Sequence, residues 1–246
     1  GMEFPEDPGD DWWDDPAGEA VLESFDISGF ETDAVIIDEG QDFDDSWFVA
    51  LEGALAEPKE GLFMVFADPH QAIYRESWEP PPDMVEYALD LNCRNTNQIA
   101  QVVARIYDDQ YTPTGTDGPK VEFVPVQSPE GVDRALRGAL HRLVNDGNLE
   151  PRDVVVLTQS REAKDRLIGA KPAGITLETI GQRTDGVAVD TIHRHKGLEA
   201  SAAIVILDRV EKDRDRALAY VGLSRPRAQL IVIAPASVGH TLGLAQ

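Results

Sequence analysis

The sequence predicts an α/β fold built on parallel β-sheets. Apolar runs at 33–38 and 61–68 are continuous, which is typical of strands that are buried on both faces of a sheet. Such runs alternate along the chain with stretches of helical periodicity, as in parallel sheets that are covered by helices. The two runs close on carboxylates, Asp38 and Asp68. Because ligands of open α/β sheets bind beyond the carboxyl ends of the strands, Asp38 and the adjacent Glu39 mark a candidate site.

The first third of the chain is predicted to hold two helices, one before each of these strands. Helical patterns cover residues 19–27 and 46–57. Residues 1–18 are acidic and rich in Pro and Gly, so we expect an irregular arm there. Trp12 and Trp13 are the apolar residues that would anchor this arm to the first unit.

After a proline-rich connection the pattern restarts and is longer. Further apolar runs predict five strands, at 121–126, 153–159, 187–193, 202–207 and 229–234. Helical patterns cover residues 96–109 and 131–147. The restart predicts two α/β units, a short one at 1–88 and a longer one at 89–246.

The composition narrows the classes of function. The formal net charge is −23, and no Lys or Arg occurs before Lys59. Such a surface repels nucleic acid at long range, although it is also typical of solubility or of adaptation to salt. No apolar run reaches the roughly 20 residues that span a bilayer, so we expect no membrane partner. The single cysteine, Cys93, excludes an internal disulfide and predicts a cytoplasmic protein; we expect its side chain to be buried.

The stretch AVIIDEGQDF, at 34–43, places two acids directly after an apolar run. This is the usual form of a Walker B element, in which Asp38 would hold Mg²⁺ and Glu39 would orient and deprotonate the attacking water. Acids at the end of a strand are also common without any metal, so the pair alone leaves both interpretations open.

Further motifs give this pair a context. DEGQDF at 38–43, ADPHQAIY at 67–74, LNCRN at 91–95, TIHRHKGLEA at 191–200 and YVGLSRPRAQL at 220–230 resemble, in order, motifs II to VI of the UvrD/Rep-like superfamily 1 DNA helicases. The resemblance covers most of the chain. It is nearest to the helicase-like ATPase module that is found with nuclease-related (NERD) domains, and it implies RecA-like domains of the P-loop NTPase fold.

The resemblance also implies roles in binding and hydrolysing ATP. Gln71 would sense the terminal phosphate, Arg94 would contact the γ-phosphate, and Arg225 would be the arginine finger. Glu199, in the same motif as Gly197, would reach the ribose of the nucleotide. ATP and Mg²⁺ are the cofactors that this assignment implies.

Single-stranded DNA is the partner that the resemblance implies. Tyr74 would lie near the DNA path, where the stacking of a base on an aromatic ring is worth roughly 1–3 kcal/mol. His193 would relay between nucleotide and DNA. The family often continues past this tyrosine with a YRWRG-like run, whereas this chain has YRESWEPP, with Glu76 and Ser77 at the replaced positions.

A phosphate-binding loop is missing from the sequence. No G-x-x-x-x-G-K-[ST] pattern occurs, and 37 residues precede Asp38. We therefore expect a truncated first RecA-like unit and a complete second one, and no useful ATP hydrolysis by this chain alone. One interpretation is the C-terminal part of an ATP-dependent helicase or translocase, whose partner is the missing N-terminal portion or a fused domain. The alternative is a non-hydrolysing, helicase-derived module that binds protein or nucleic acid.

Overall fold

The computed structural model divides into two compact units, Gly1–Tyr87 and Ala88–Gln246. It describes residues 5, 9–13, 15–58, 60–74, 78–89, 91–107, 112, 113, 115–181 and 185–244. Each unit is an α/β structure with its own parallel sheet, of two strands in the first unit and six in the second. The predicted fold class is therefore confirmed.

The first unit alternates helices and strands. Its elements are a 3₁₀ turn Asp10–Trp13, α1 Asp15–Ser28, β1 Ala34–Ile37, a 3₁₀ turn Gly40–Asp42, α2 Asp45–Glu52, β2 Leu62–Val65 and a 3₁₀ turn Pro69–Gln71. Strands β1 and β2 pair in parallel, with Ala34 opposite Leu62 and Ile37 opposite Val65. This register brings the carboxyl ends of both strands to one edge.

Helix α1 begins earlier than the sequence predicts. It starts at Asp15, so the end of the segment that was expected to be irregular is helical. Pro16 stands in the first helical turn, where its missing N–H costs nothing. The tryptophans do pack as an anchor: the ring centroids of Trp12 and Trp13 lie 4.9 Å apart, and those of Trp13 and Trp47 lie 6.4 Å apart.

The continuous apolar runs predicted that β1 and β2 are buried on both faces of the sheet. This prediction is wrong. Ile36, Leu62 and Met64 are 63 %, 47 % and 38 % exposed, whereas Ile37 is 4 % exposed. Burial alternates along both strands with the two-residue period of a pleated sheet. One face of this small sheet is covered, and the other is not.

The second unit is a single six-stranded parallel sheet with helices between its strands. Its strands are β3 Glu122–Pro125, β4 Val154–Thr158, β5 Leu177–Thr179, β6 Val187–Thr191, β7 Ala200–Ile206 and β8 Pro226–Ala234, in the spatial order β3-β8-β7-β4-β6-β5. Its helices are α3 Asn97–Ala104, α4 Pro129–Leu140, α5 Arg161–Leu167, α6 Asp213–Ser224 and α7 Ala236–Thr241. A π-helical turn, His141–Asp146, continues α4.

The five strands predicted for the second unit are all present, and β5 is an addition. It has three residues, LET, and so is too short to give a period-2 pattern. The interior strands β4 and β6 are buried along their whole length. No helix in the described ranges has both the length and the apolar character that crossing a bilayer requires.

Leu157→Ala tests the core of the second unit. Leu157, in β4, is fully buried, so the truncation should lower the free energy of unfolding by about 2–5 kcal/mol through lost burial and a cavity. Leu198→Ala is the matched control, because Leu198 is 46 % exposed and should cost less than about 0.5 kcal/mol. Urea unfolding measures both, and equal costs would contradict this description of the core.

Candidate functional site

The chain turns sharply directly after β1, at Asp38 and Glu39, the predicted metal ligand and general base. Glu39 has φ 55° and ψ 39°, a left-handed conformation, and its N–H donates to Oδ1 of Asp38 at 2.9 Å. Gly40 follows, and its N–H donates to the carbonyl of Phe66 at 2.8 Å. A Cβ on Gly40 would lie 2.3 Å from Cγ1 of Val65, so only glycine fits between the two strand ends.

Gln41 joins the ends of the two strands. Its side chain is fully buried; Nε2 donates to the carboxylate of Glu39, and Oε1 accepts from the backbone N–H of Asp68 at 3.0 Å. A buried amide with both ends bonded holds one orientation. The carboxylate of Glu39 is thereby fixed relative to the end of β2.

The hydrogen bonds continue from Asp68 to Gln71. Oδ1 of Asp68 accepts from the backbone N–H of His70 at 3.0 Å, and Oδ2 accepts from Nε2 of Gln71 at 2.8 Å. Glu39 and Gln71, two of the predicted catalytic residues, therefore belong to one network. Gln41 and Asp68 complete it, and the sequence analysis gave neither of them a role.

Tyr74 lies beyond this network and is 59 % exposed. Partial burial of its hydroxyl, followed by the negative charge of Asp42, raises the pKa of Tyr74, so the phenol is neutral at physiological pH. More than half of the residue's surface is therefore accessible to solvent. Residues 75–77, where the chain departs from the family pattern, lie outside the described residues.

Three predicted residues of the second unit, Arg94, Glu199 and Arg225, lie near the amino ends of strands. Glu199 directly precedes β7 and Arg225 directly precedes β8, and the register pairs Ala200 with Pro226. Nε of Arg94 lies 3.8 Å from Oε2 of Glu199. Glu199 and Arg225 therefore lie at the amino ends of strands, whereas Asp38 and Glu39 follow the carboxyl end of β1, where a ligand site was expected.

A second arginine, which the sequence analysis missed, shares the Glu199 carboxylate. Nη1 of Arg227 lies 3.4 Å from Oε1 of Glu199, and all three side chains are about half exposed. Ion pairs as exposed as these contribute only about 0–1 kcal/mol to stability. The cluster therefore adds little to the stability of the fold.

Arg225 is 1 % exposed and is held at the carboxyl end of α6. Its Nε donates to the carbonyl of Val221 and its Nη2 donates to Oγ of Ser224, both at 2.9 Å. Asn95 holds the chain on either side of this arginine, because its Nδ2 donates to the carbonyls of Ser224 at 2.9 Å and Pro226 at 2.6 Å. Asn95, which follows Arg94 in the sequence, is a further site residue that the sequence analysis missed.

The turn after β6, His193–His195, carries two imidazoles with lowered pKa values. For His193, which is partly buried, burial and then the charge of Arg214 lower the pKa. For His195, which is 5 % exposed, burial and then Arg225 lower the pKa to about 4, against the opposing effect of Asp190. Gly197 follows with φ 77°, which favours glycine.

Cys93 is exposed, so the prediction of a buried thiol is wrong. Within the described ranges, no group of three or more His, Cys, Asp or Glu side chains is arranged to hold a metal ion. The predicted residues fall into two groups, with Asp38, Glu39, Gln71 and Tyr74 in the first unit and Arg94, His193, Gly197, Glu199 and Arg225 in the second.

Two solved structures match parts of this chain. The C-terminal domain of a possible DNA helicase from Lactobacillus plantarum WCFS1 matches with a TM-score of 0.51 and 22 % identity, over 63 % of this chain and 95 % of that one. The PRRSV helicase matches with a TM-score of 0.42 and 15 % identity, over 82 % of this chain and 34 % of that one. No protein-family profile and no curated protein sequence matches. The match to the Lactobacillus plantarum domain shows that the fold is helicase-like.

Gln41→Glu tests the network of the first unit. The substitution keeps the shape of the side chain, removes the donor to Glu39 and places two carboxylates together, so it should lower the free energy of unfolding by about 2 kcal/mol or more. The control is Gln101→Glu on the exposed surface of α3, with an expected change of less than about 0.5 kcal/mol. Thermal unfolding compares them; similar small losses would show that Gln41 does not organise this site.

His195→Gln tests the buried imidazole of the second unit. Its pKa is about 4 in the folded chain and 6.5 when unperturbed. Between pH 4 and pH 6.5 the unfolded state therefore binds a proton that the folded state does not bind. The free energy of unfolding should therefore fall by about 1.4 kcal/mol per pH unit as the pH drops from 6.5 to 4, and this component should vanish in His195→Gln. Denaturation across this range measures it, and His240→Gln, at an exposed position, should retain the slope.

Proposed function

We propose that this chain is part of an ATP-dependent superfamily 1 DNA helicase or translocase. In such a motor, ATP hydrolysis between two RecA-like domains drives movement along single-stranded DNA. One observation carries the proposal: the hydrogen bonds Glu39–Gln41–Asp68–Gln71 run across the carboxyl ends of two paired parallel strands. The helicase-like fold supports it.

This network suits the activation of water beside a phosphate. Glu39 would act as the general base that orients the attacking water, and Gln71 would contact the terminal phosphate. Gln41 accepts from the backbone N–H of Asp68 and Gln71 donates to the carboxylate of the same residue, so Asp68 would hold both candidate side chains relative to the end of β2.

Asp38 would hold the Mg²⁺ ion that accompanies ATP. Its carboxylate is exposed at the end of β1, and Mg²⁺ usually binds one or two carboxylates together with substrate phosphates and several waters. A single carboxylate is therefore a sufficient protein contribution, even though the described residues form no larger metal cluster. When bound, Mg²⁺ would neutralise charge on the phosphate oxygens.

The second unit would supply the cations that stabilise the transition state. Arg94 would face the γ-phosphate, and Glu199 would contact the ribose. Arg227 would offset the negative charge of Glu199 beside the polyanionic nucleotide. Arg225 is 1 % exposed and bonded to Val221 and Ser224, so to act as the arginine finger its guanidinium would have to be released toward the nucleotide; such fingers raise rates by about 10³–10⁵-fold.

The alternative is a non-hydrolysing module that binds protein or nucleic acid. The charge distribution favours it. Residues 1–87 contain 25 acidic and 2 basic residues, whereas residues 88–246 contain 20 of each. The whole net charge of −23 thus belongs to the first unit, and DNA would have to bind mainly through the neutral second unit.

ATP turnover distinguishes the two proposals. The product of the complete reading frame that contains this chain should hydrolyse ATP only with Mg²⁺, and single-stranded DNA should stimulate it. Glu39→Gln should lower kcat by about 10²–10⁴-fold, whereas the control Glu52→Gln, exposed at the end of α2, should not. Absence of turnover in this product would overturn the motor and leave the binding module.

The 246-residue chain provides the second arm of this experiment. Because it carries no G-x-x-x-x-G-K-[ST] loop, it should show no turnover above background and only weak binding of a fluorescent ATP analogue. Mg²⁺-dependent turnover by this chain, lost in Glu39→Gln, would prove that the loop is dispensable.

A further inference from the structure

A series of hydrogen bonds joins the loop that carries Arg94 to the start of β8. Asn92 begins the series: its Oδ1 accepts from the backbone N–H groups of Arg94 and Asn95, both at 3.1 Å, and its Nδ2 donates to Oδ1 of Asn95 at 3.0 Å. An asparagine that bonds backbone groups two and three positions later closes a local turn. The backbone of Arg94 is therefore held by the side chain of Asn92.

Asn95 carries the connection to the residues on either side of Arg225. Its Nδ2 donates to the carbonyls of Ser224 at 2.9 Å and Pro226 at 2.6 Å, and its Oδ1 is the acceptor for Asn92. The side chain is buried, with the residue 5 % exposed. A buried amide that is bonded at both its oxygen and its nitrogen holds one orientation. Asn92 and Asn95, the asparagine pair, therefore connect the backbones of the two arginines.

Backbone hydrogen bonds extend this connection along the start of β8. The N–H of Thr96 donates to the carbonyl of Arg227 at 2.9 Å, and the N–H of Ala200 donates to the carbonyl of Arg225 at 3.3 Å. Thr96 directly follows the asparagine pair, whereas Ala200 is the first residue of β7. The main chain around Arg225 is therefore held by the asparagine segment and by a neighbouring strand.

The side chain of Arg225 is held separately from its backbone. Its Nε donates to the carbonyl of Val221 and its Nη2 donates to Oγ of Ser224, whereas Asn95 bonds backbone carbonyls. The guanidinium can therefore leave these two acceptors without breaking the bonds of Asn95. A released side chain would then start from a backbone position that is fixed relative to Arg94.

We propose that Asn95, together with Asn92, is a positioning residue that keeps Arg94 and Arg225 at one spacing during ATP hydrolysis. This role rests on the proposed motor function. In this role neither amide contacts the reacting atoms, and each acts through the backbone of an arginine. Two cations that act on one phosphoryl group lower the barrier fully only when both are oriented towards it.

ATP turnover by the product of the complete reading frame tests this role. Asn95→Ala should lower kcat by about 10–100-fold and leave the KM for ATP within about threefold, because misplaced cations weaken the transition state more than the bound ground state. Asn145→Ala, at an exposed position of the π-helical turn, is the matched control and should change neither value by more than about twofold. Circular dichroism shows whether each variant is folded.

Two comparisons separate positioning from a loss of folding. In an Arg225→Ala background, Asn95→Ala should cost at least about threefold less in kcat than in the unsubstituted protein, because one of the groups that Asn95 positions is already gone. Asn92→Ala should also lower kcat, and Asn92→Asp should recover most of the loss, since it keeps the oxygen that accepts from Arg94. Asn92 is partly exposed, so these variants serve if Asn95→Ala does not fold.

The single cysteine, Cys93, gives a test on the 246-residue chain that needs no ATP. Cys93 is exposed and stands between Asn92 and Arg94, so a nitroxide attached to it reports the motion of this loop. The electron paramagnetic resonance spectrum of the unsubstituted chain should show restricted nanosecond motion. Asn95→Ala and Asn92→Ala should sharpen the lines, and Asn145→Ala should leave them unchanged.

The outcomes distinguish the asparagine pair, its positioning role and the motor. A mobile nitroxide in the unsubstituted chain, or equal spectra of Asn95→Ala and Asn145→Ala, would overturn the asparagine pair as a connection. Unchanged kcat in Asn95→Ala, or an equal loss in both backgrounds, would overturn the positioning role and leave the proposed motor standing. No turnover by the unsubstituted product would overturn the motor and the positioning role together.

Discussion

Parallel strand pairing is the constraint on which both units depend. Pairing of β1 with β2 brings Glu39 and Asp68, nearly thirty positions apart, to one edge, where the buried amide of Gln41 connects them. Gly40 permits this contact, because any side chain there would collide with Val65. The candidate base is thus positioned by backbone geometry first and by hydrogen bonds second.

The second unit uses the same constraint at the opposite ends of its strands. The pairing of β7 with β8 sets Glu199 and Arg225 at neighbouring strand starts, and Asn95 holds the backbone around the arginine. His195 stays neutral because it is buried beside Arg225, so no second positive charge competes with that guanidinium at neutral pH. Packing therefore fixes both the position of Arg225 and the neutral state of His195.

Much of the fold was predictable because its signals are local. The runs that became β4 and β7 are continuous apolar stretches, which identify buried strands without any knowledge of their neighbours. The same signal misled for β1 and β2, where the apolar residues Ile36 and Met64 remain exposed. Composition records how apolar a strand is, whereas burial depends on what packs against it.

The sequence by itself determined the α/β class, every strand of the two parallel sheets except β5, and the candidate residues Glu39, Gln71, Arg94, Glu199 and Arg225. Only the tertiary structure decided the partners of these residues: Gln41 and Asp68 in one unit, Asn95 and Arg227 in the other. The physical reason is the range of the interactions. Strand and helix patterns repeat over a few residues, whereas the hydrogen bonds of Asn95 span well over a hundred positions and exist only after the sheet has formed.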